Sequence, residues 1–292
     1  MDYVMLVGVG CLTGVTTVLF GFGGGFVAVP VVVAADASLG GDAMRVATAT
    51  SALVMVVNAG FATAVTPRRV LSALRGSGLL LALLAAGAAA GAFATRLAPD
   101  GLARWAFVAY VLLTIADLLL RPGFLRTYAG GEVPGGAESD DAESGHASSR
   151  GVESGGAASR GAPRPLPAAV GAPIGAVAAF LGVGGSVMTV PAMRRAGHPM
   201  RVATSLANPL TLAIALPATA VSLASAAVPT ATVARVHLVG LLDVGAAAAL
   251  LAGALPVIAV LRRRPPLIPD RAHAWAYIGL LALVAPAMLF LA

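Results

Sequence analysis

The chain has no lysine, one cysteine and few charges of any kind: 11% of its 292 residues are charged and 5% are aromatic. The lone Cys11 excludes an intrachain disulfide and any multi-cysteine metal cluster. The net charge of +6 comes wholly from arginine. Most of these arginines lie in short loops, where in an apolar chain they report orientation rather than nucleic-acid binding. HExxH, GxSxG and paired carboxylates on one apolar face are all missing, so no hydrolase, metalloprotease or kinase constellation can be assembled. The expectation is a protein that is not an enzyme, with no cofactor, no catalytic residues and no metal. The opening MDYVML carries no basic leader, and its apolar run continues past any plausible cleavage site, so no removed signal peptide is expected.

What is present is hydrophobic: 58% of the residues, with a mean hydropathy of +0.89. That is well beyond an ordinary soluble domain and implies a multi-pass protein of the cell membrane. Apolar stretches near or above the roughly 20 residues that cross a bilayer recur at 3–35, 43–65, 77–98, 102–120, 166–193, 202–227, 236–261 and 274–292. The alternation of a transmembrane barrel is missing, whereas long Ala/Leu/Val runs favour helices that satisfy their own backbone in lipid. The fold class expected is an all-α polytopic bundle of about eight hydrophobic segments.

One hydrophilic interval breaks the pattern. Residues 126–165 are rich in Gly, Ser, Ala and acidic side chains and cannot bury a core, so they are expected to form a disordered linker. The flanking regions, 1–125 and 166–292, echo each other. GFGGGFVAVP (21–30) aligns without a gap on GVGGSVMTVP (182–191). Each half then shows Arg-Val followed shortly by ATS, at 49–51 and 203–205, and PDGLARWAF (99–107) matches PDRAHAWAY (269–277). Three echoes in the same order imply an internal duplication.

Charge decides how the halves are oriented. If each of the eight segments crosses once, the arginines divide 9 to 10 between the two faces, which carries no signal. If the glycine motifs are re-entrant, fifteen share one face and only Arg45, Arg96, Arg104 and Arg235 the other, as the positive-inside rule expects. One hairpin and three crossings per half then make the repeats inverted, with a broken or re-entrant first helix in each, an architecture of secondary transporters. Both termini are expected outside and the linker in the cytoplasm. The first arm, about 3–20, is long enough to span alone, so a broken spanning helix stays an alternative.

Glycine runs at membrane depth leave N–H groups unpaired, and a helix that restarts there presents roughly half a positive charge to an anion. Gly23, Gly24, Gly25, Gly184, Gly185 and Ser186 are therefore candidate substrate-binding positions. Thr50, Ser51, Thr204 and Ser205 begin the segments after the breaks; their hydroxyls either contact an oxyanion or bond back to the helix. Asn58 and Asn208 lie deeper, as substrate contacts or helix glue. Asp243, a carboxylate within an apolar segment and about two turns from Arg235 and His237, is a possible proton-coupling residue. Gly87-Ala-Ala-Ala-Gly91 reads as a helix-packing motif. Asp117, four residues before Arg121, reads as its ion-pair partner. His198 and His273 read as incidental.

Two GxGG breaks ending in proline, each followed by an ATS segment, an arginine-bearing loop and a Gly/Ala-rich helix, resemble the sulfite exporter TauE/SafE family of membrane permeases. The resemblance covers both halves but not the linker, and Ser186 departs from it by standing where the first motif has Gly25. It implies a permease of small sulfur-bearing anions, such as sulfite or organosulfonates, with the two motifs near the translocation path. The partners implied are a small anion and the lipid bilayer, with no nucleic acid. A passive anion channel and a non-transporting scaffold or assembly subunit are the alternatives.

Overall fold

The structure, a computed structural model, describes residues 3–99, 101–121, 124–125, 166–224, 238–264, 266 and 268–290. The linker 126–165, with Arg235 and His237, lies outside the described residues. Eleven α-helices carry almost all of the described chain: α1 Tyr3–Phe20, α2 Gly25–Ala35, α3 Ala43–Ala64, α4 Arg68–Leu71, α5 Gly78–Leu97, α6 Leu102–Leu120, α7 Gly171–Leu181, α8 Ser186–Arg195, α9 Met200–Leu223, α10 Val244–Arg263 and α11 Asp270–Phe290. Seven are long and apolar enough to cross a bilayer. One two-residue antiparallel pair, β1 Leu238–Val239 and β2 Leu242–Asp243, leads into α10. The protein is a polytopic, all-α membrane protein.

Both long first segments break at their glycines. Gly21, Gly23 and Gly24 have φ of 74°, 63° and 87°, and Gly182 and Gly184 have φ of 70° and 72°, a region where a side chain clashes with the backbone. Helix propagation therefore stops at Phe20 and Leu181 and restarts at Gly25 and Ser186. Each restarted arm contains a proline, Pro30 or Pro191, which removes one further i→i−4 bond. The carbonyl that Pro191 releases belongs to Val187, and the Tyr277 hydroxyl of α11 donates to it at 3.4 Å and to the neighbouring Ser186 carbonyl at 3.2 Å.

The arms double back. Val31, late in α2, packs with Leu6 near the start of α1 and with Ala246 and Ala249 of α10. The far end of α1 reaches the start of α11, where His273 Nε2 meets the Leu19 carbonyl. α1 thus traverses the molecule and the shorter α2 returns. In the second half α7 starts beside the start of α5, where a methyl group at Gly171 would sit 2.9 Å from the Leu80 carbonyl, and reaches the α5 terminus, where Thr95 donates to the Phe180 carbonyl at 3.1 Å. α8 then returns, and Arg195 pairs with Asp117 near the end of α6 at 2.6 Å. The two hairpins enter from opposite ends.

Glycine seams fix the packing. Gly87 and Gly91 of α5 lie against the Ala172 and Ala176 backbones of α7, while Gly10 and Gly14 of α1 lie against Leu250 and Ala254 of α10. α3 packs along α9 and α6 along α11. Both pairs are antiparallel: the start of α3 shares a cleft with the end of α9, and Arg104 at the start of α6 donates to the Leu289 carbonyl near the end of α11 at 3.0 Å. Swapping α1 with α7, α3 with α9, α5 with α10 and α6 with α11 turns the α1–α10 pair into the α7–α5 pair and leaves the α3–α9 and α6–α11 pairs as they are. Of the described arginines, Arg45, Arg96 and Arg104 lie at one end of the bundle and the other eleven at the opposite end.

Candidate functional site

The two breaks meet in the interior. A methyl group at Gly25 would sit 2.9 Å from the Gly182 carbonyl, and one at Gly184 would sit 3.3 Å from the Phe22 carbonyl. Met55 of α3 and Thr211 of α9 wedge between them: the Thr211 methyl lies 2.9 Å from such a group at Gly23 and 3.1 Å from one at Gly184. Only glycine fits here, since the two irregular backbones and the two long helices share one small volume.

At this junction α2 starts after Gly24 and α8 after Gly185, and neither N-cap residue offers a side-chain hydrogen bond to the exposed N–H groups. Polar side chains without partners cluster nearby. Asn58 is fully buried, both of its amide atoms lack a partner, and its nitrogen lies 2.8 Å from a methyl group placed at Gly24. Ser186 is fully buried and its hydroxyl is unpaired, as is that of Thr189 one turn on. Asn208 donates to the Thr204 carbonyl at 3.3 Å, and its own carbonyl oxygen is unpaired. Buried polar groups are almost always hydrogen-bonded, and here several unmatched ones lie beside two helix starts.

The other predicted residues divide. Ser51 is buried and donates to the Gly182 carbonyl at 3.0 Å, next to the second break. Thr50 faces elsewhere and accepts from the Asp243 backbone N–H at 2.9 Å. Thr204 and Ser205 bond back to the Arg201 carbonyl, and Ser205 is half-buried on the outer side of α9. Asp243 is the N-cap of α10, accepting from the Ala246 N–H at 3.0 Å. Asp117 does pair with Arg121, at 3.1 Å, as well as with Arg195. Among the described residues no group of three His, Cys, Asp or Glu side chains could hold a metal ion.

Some residues around the site are hard to read from sequence. Arg194 is fully buried: it pairs with Asp270 at 2.6 Å and gives Nε and Nη2 to the Phe124 carbonyl at 3.2 and 2.9 Å, while Asp270 also accepts from the Met200 N–H at 2.9 Å. This knot joins α8, α9, α11 and the segment after α6 on the arginine-rich side of the breaks. Asp36, just after α2, is 2% exposed with one carboxylate oxygen unpaired. Burial, then the nearby Asp243 carboxylate, raise its pKa from the usual 3.8 to about 7.

The family model for the sulfite exporter TauE/SafE matches residues 6–288, nearly the whole chain, with both glycine breaks inside the match. The chain belongs to the TauE/SafE family. Searches of curated proteins and of solved structures returned no match. TauE/SafE proteins are membrane permeases of sulfite-type anions, and the features described above in this TauE/SafE chain, two restarted helices with a buried unpaired amide and hydroxyl, include donors and no carboxylate. In a water-poor interior, donors of this kind interact with negative charge far more strongly than at a wet surface.

Proposed function

We propose that this TauE/SafE protein is a secondary transporter of a small sulfur-bearing anion, such as sulfite or an organosulfonate, in the cell membrane. The observation that carries the reading is the junction of the two breaks, where Gly25 lies against the Gly182 carbonyl and the Asn58 amide against Gly24, with the Ser186 hydroxyl at the start of α8 also buried and unpaired. Backbone N–H groups at Gly24, Gly25, Gly185 and Ser186 hold the anion, the Asn58 amide and Ser186 hydroxyl complete its shell, and Asn208 and Ser51 orient the surrounding backbone. Residues 1–125 and 166–292 act as inverted repeats that rock against each other; the exchange symmetry of the helix pairs and the opposite entry of the two hairpins support this. The arginine-rich end faces the cytoplasm with the linker. Asp243, whose backbone N–H donates to Thr50 and whose carboxylate caps α10, is the proton-coupling residue of this reading, with the buried Asp36 carboxyl nearby.

The test is uptake of labelled sulfite by liposomes containing the purified protein. Counterflow driven by unlabelled substrate is expected; flux that follows membrane potential without counterflow identifies a channel, and no flux across a panel of small anions identifies a scaffold. Asn58→Leu separates binding from folding. It removes an amide that makes no bond within the protein, so the variant is expected to melt at or above the parent temperature while losing at least about tenfold in sulfite flux, the loss of one buried, charge-assisted bond. Normal flux in this variant would remove Asn58 from the site.

A further inference from the structure

At the arginine-poor end a narrow cleft opens between α3, α5, α7 and α9. Arg45 and Arg96 flank it, Thr48, Thr95 and Ser222 line its walls, and Ala179 lies deep on the α7 side. The cleft points at the second break, because a methyl group at Gly182 would sit 3.0 Å from both the Cα and the Cγ2 of Thr48. Two of the three described arginines at this end belong to it. Arg45 is anchored by Asp42 at 2.9 Å and by the Ala98 carbonyl at 2.9 Å, and Arg96 lies 5.7 Å over the Phe93 ring, with no carboxylate paired to it among the described residues. Among the described residues no carboxylate lines the cleft.

The hydroxyls have already spent their protons. Thr48 donates to the Met44 carbonyl, Thr95 to those of Gly91 and Phe180, and Ser222 to that of Ala218. With the hydroxyls committed, what the cleft offers an anion is the charge and N–H groups of its arginines. From this geometry we infer that the cleft is an anion vestibule, in which Arg45 and Arg96 concentrate small anions at the mouth of a path that continues past Thr48 to Gly182. The inference rests on the transport reading for that path's purpose, but the vestibule itself binds anions whether or not they are carried further. A cationic mouth with low-dielectric walls raises the local anion concentration about 10-fold or more at low ionic strength.

The test uses the full chain in nanodiscs, where both faces are accessible, in a Cys11→Ser background carrying Ser222→Cys. Rates of modification by an anionic and a cationic methanethiosulfonate of similar size are compared, each relative to its rate with a free thiol. The anionic reagent is expected to be favoured about tenfold at low salt. Arg96→Gln is expected to cut that preference severalfold, and Arg96→Glu to reverse it. Methanesulfonate, an unreactive anion, is expected to slow the anionic reagent in the parent and not in Arg96→Gln. Equal rates for the two reagents, no modification by either, or a rate indifferent to methanesulfonate overturns the vestibule. Failure of the transport reading shows separately, as absent sulfite counterflow in liposomes while the reagent preference persists.

Discussion

Asp36 illustrates what one buried carboxyl does to a molecule with so few charges. Its folded pKa of about 7 lies above the ordinary 3.8, so the folded state holds the proton more tightly than the unfolded chain. The stability it permits is full at acid pH and declines as pH rises from about 4 to about 7. Asp36→Asn is accordingly expected to melt level with the parent near pH 4 and above it at pH 8, by on the order of 1–2 kcal/mol once partial screening is allowed for. Melting curves that stay parallel across this range would show that the carboxyl is not held neutral by the fold. Asp36 escapes a reading of the sequence because it ends an apolar run and looks like the first loop residue. Arg194 escapes it for a related reason: beside Arg195 it looks like a loop charge, and its burial depends on Asp270, far along the chain. The breaks at the glycines are legible, and Asn58, Asn208 and Ser186 draw notice, because each stands out inside lipid-like sequence. The destinations of Thr50 and Ser205 are not, since the partner of a hydroxyl depends on which way its helix faces.

The elements that matter most are the interrupted ones. A glycine cluster followed six or seven residues later by proline announces that a helix stops and restarts, and both stops fall where the sequence puts them. Sequence signals that the second arm turns back only through the division of the arginines; the contacts that hold it there, Val31 on Leu6 and Arg195 on Asp117, are not readable from it. Nor does it reveal how the restarted arm tolerates its proline. In α8 the Tyr277 hydroxyl takes over the Val187 carbonyl. Tyr277→Phe is therefore expected to destabilise the protein by about 1 kcal/mol, the net worth of one hydrogen bond. In a Pro191→Ala background, where an N–H returns to position 191, the same substitution is expected to cost measurably less. Equal costs in both backgrounds, read from thermal melts in detergent, would show that the hydroxyl serves another purpose. The seam of Gly87 and Gly91 is legible as a packing motif from its four-residue spacing; its partner, α7, is not, because one small-residue face carries no address.

For the whole molecule the arginines are the strongest guide. Their placement in the structure, eleven described residues at one end and three at the other, follows the division that the re-entrant arrangement requires. In a Cys11→Ser background, Ser38→Cys, exposed at the arginine-poor end, is expected to react with an impermeant maleimide on intact expressing cells, whereas Ala73→Cys, exposed at the opposite end, is expected to react only after permeabilisation. The reverse pattern would invert the orientation. The bundle's class and its helix content follow from composition and run length, while the route of the chain through the bundle follows from contacts between residues far apart in the chain, which composition does not encode.

The glycine seams of α1 and α5 have no partner within their own half: α1 closes on α10 and α5 on α7. During synthesis, then, the glycine seam of α1 has its partner only once α10 has been made. A chain that ends at the linker would carry two small-residue faces whose partners, α7 and α10, have not been made.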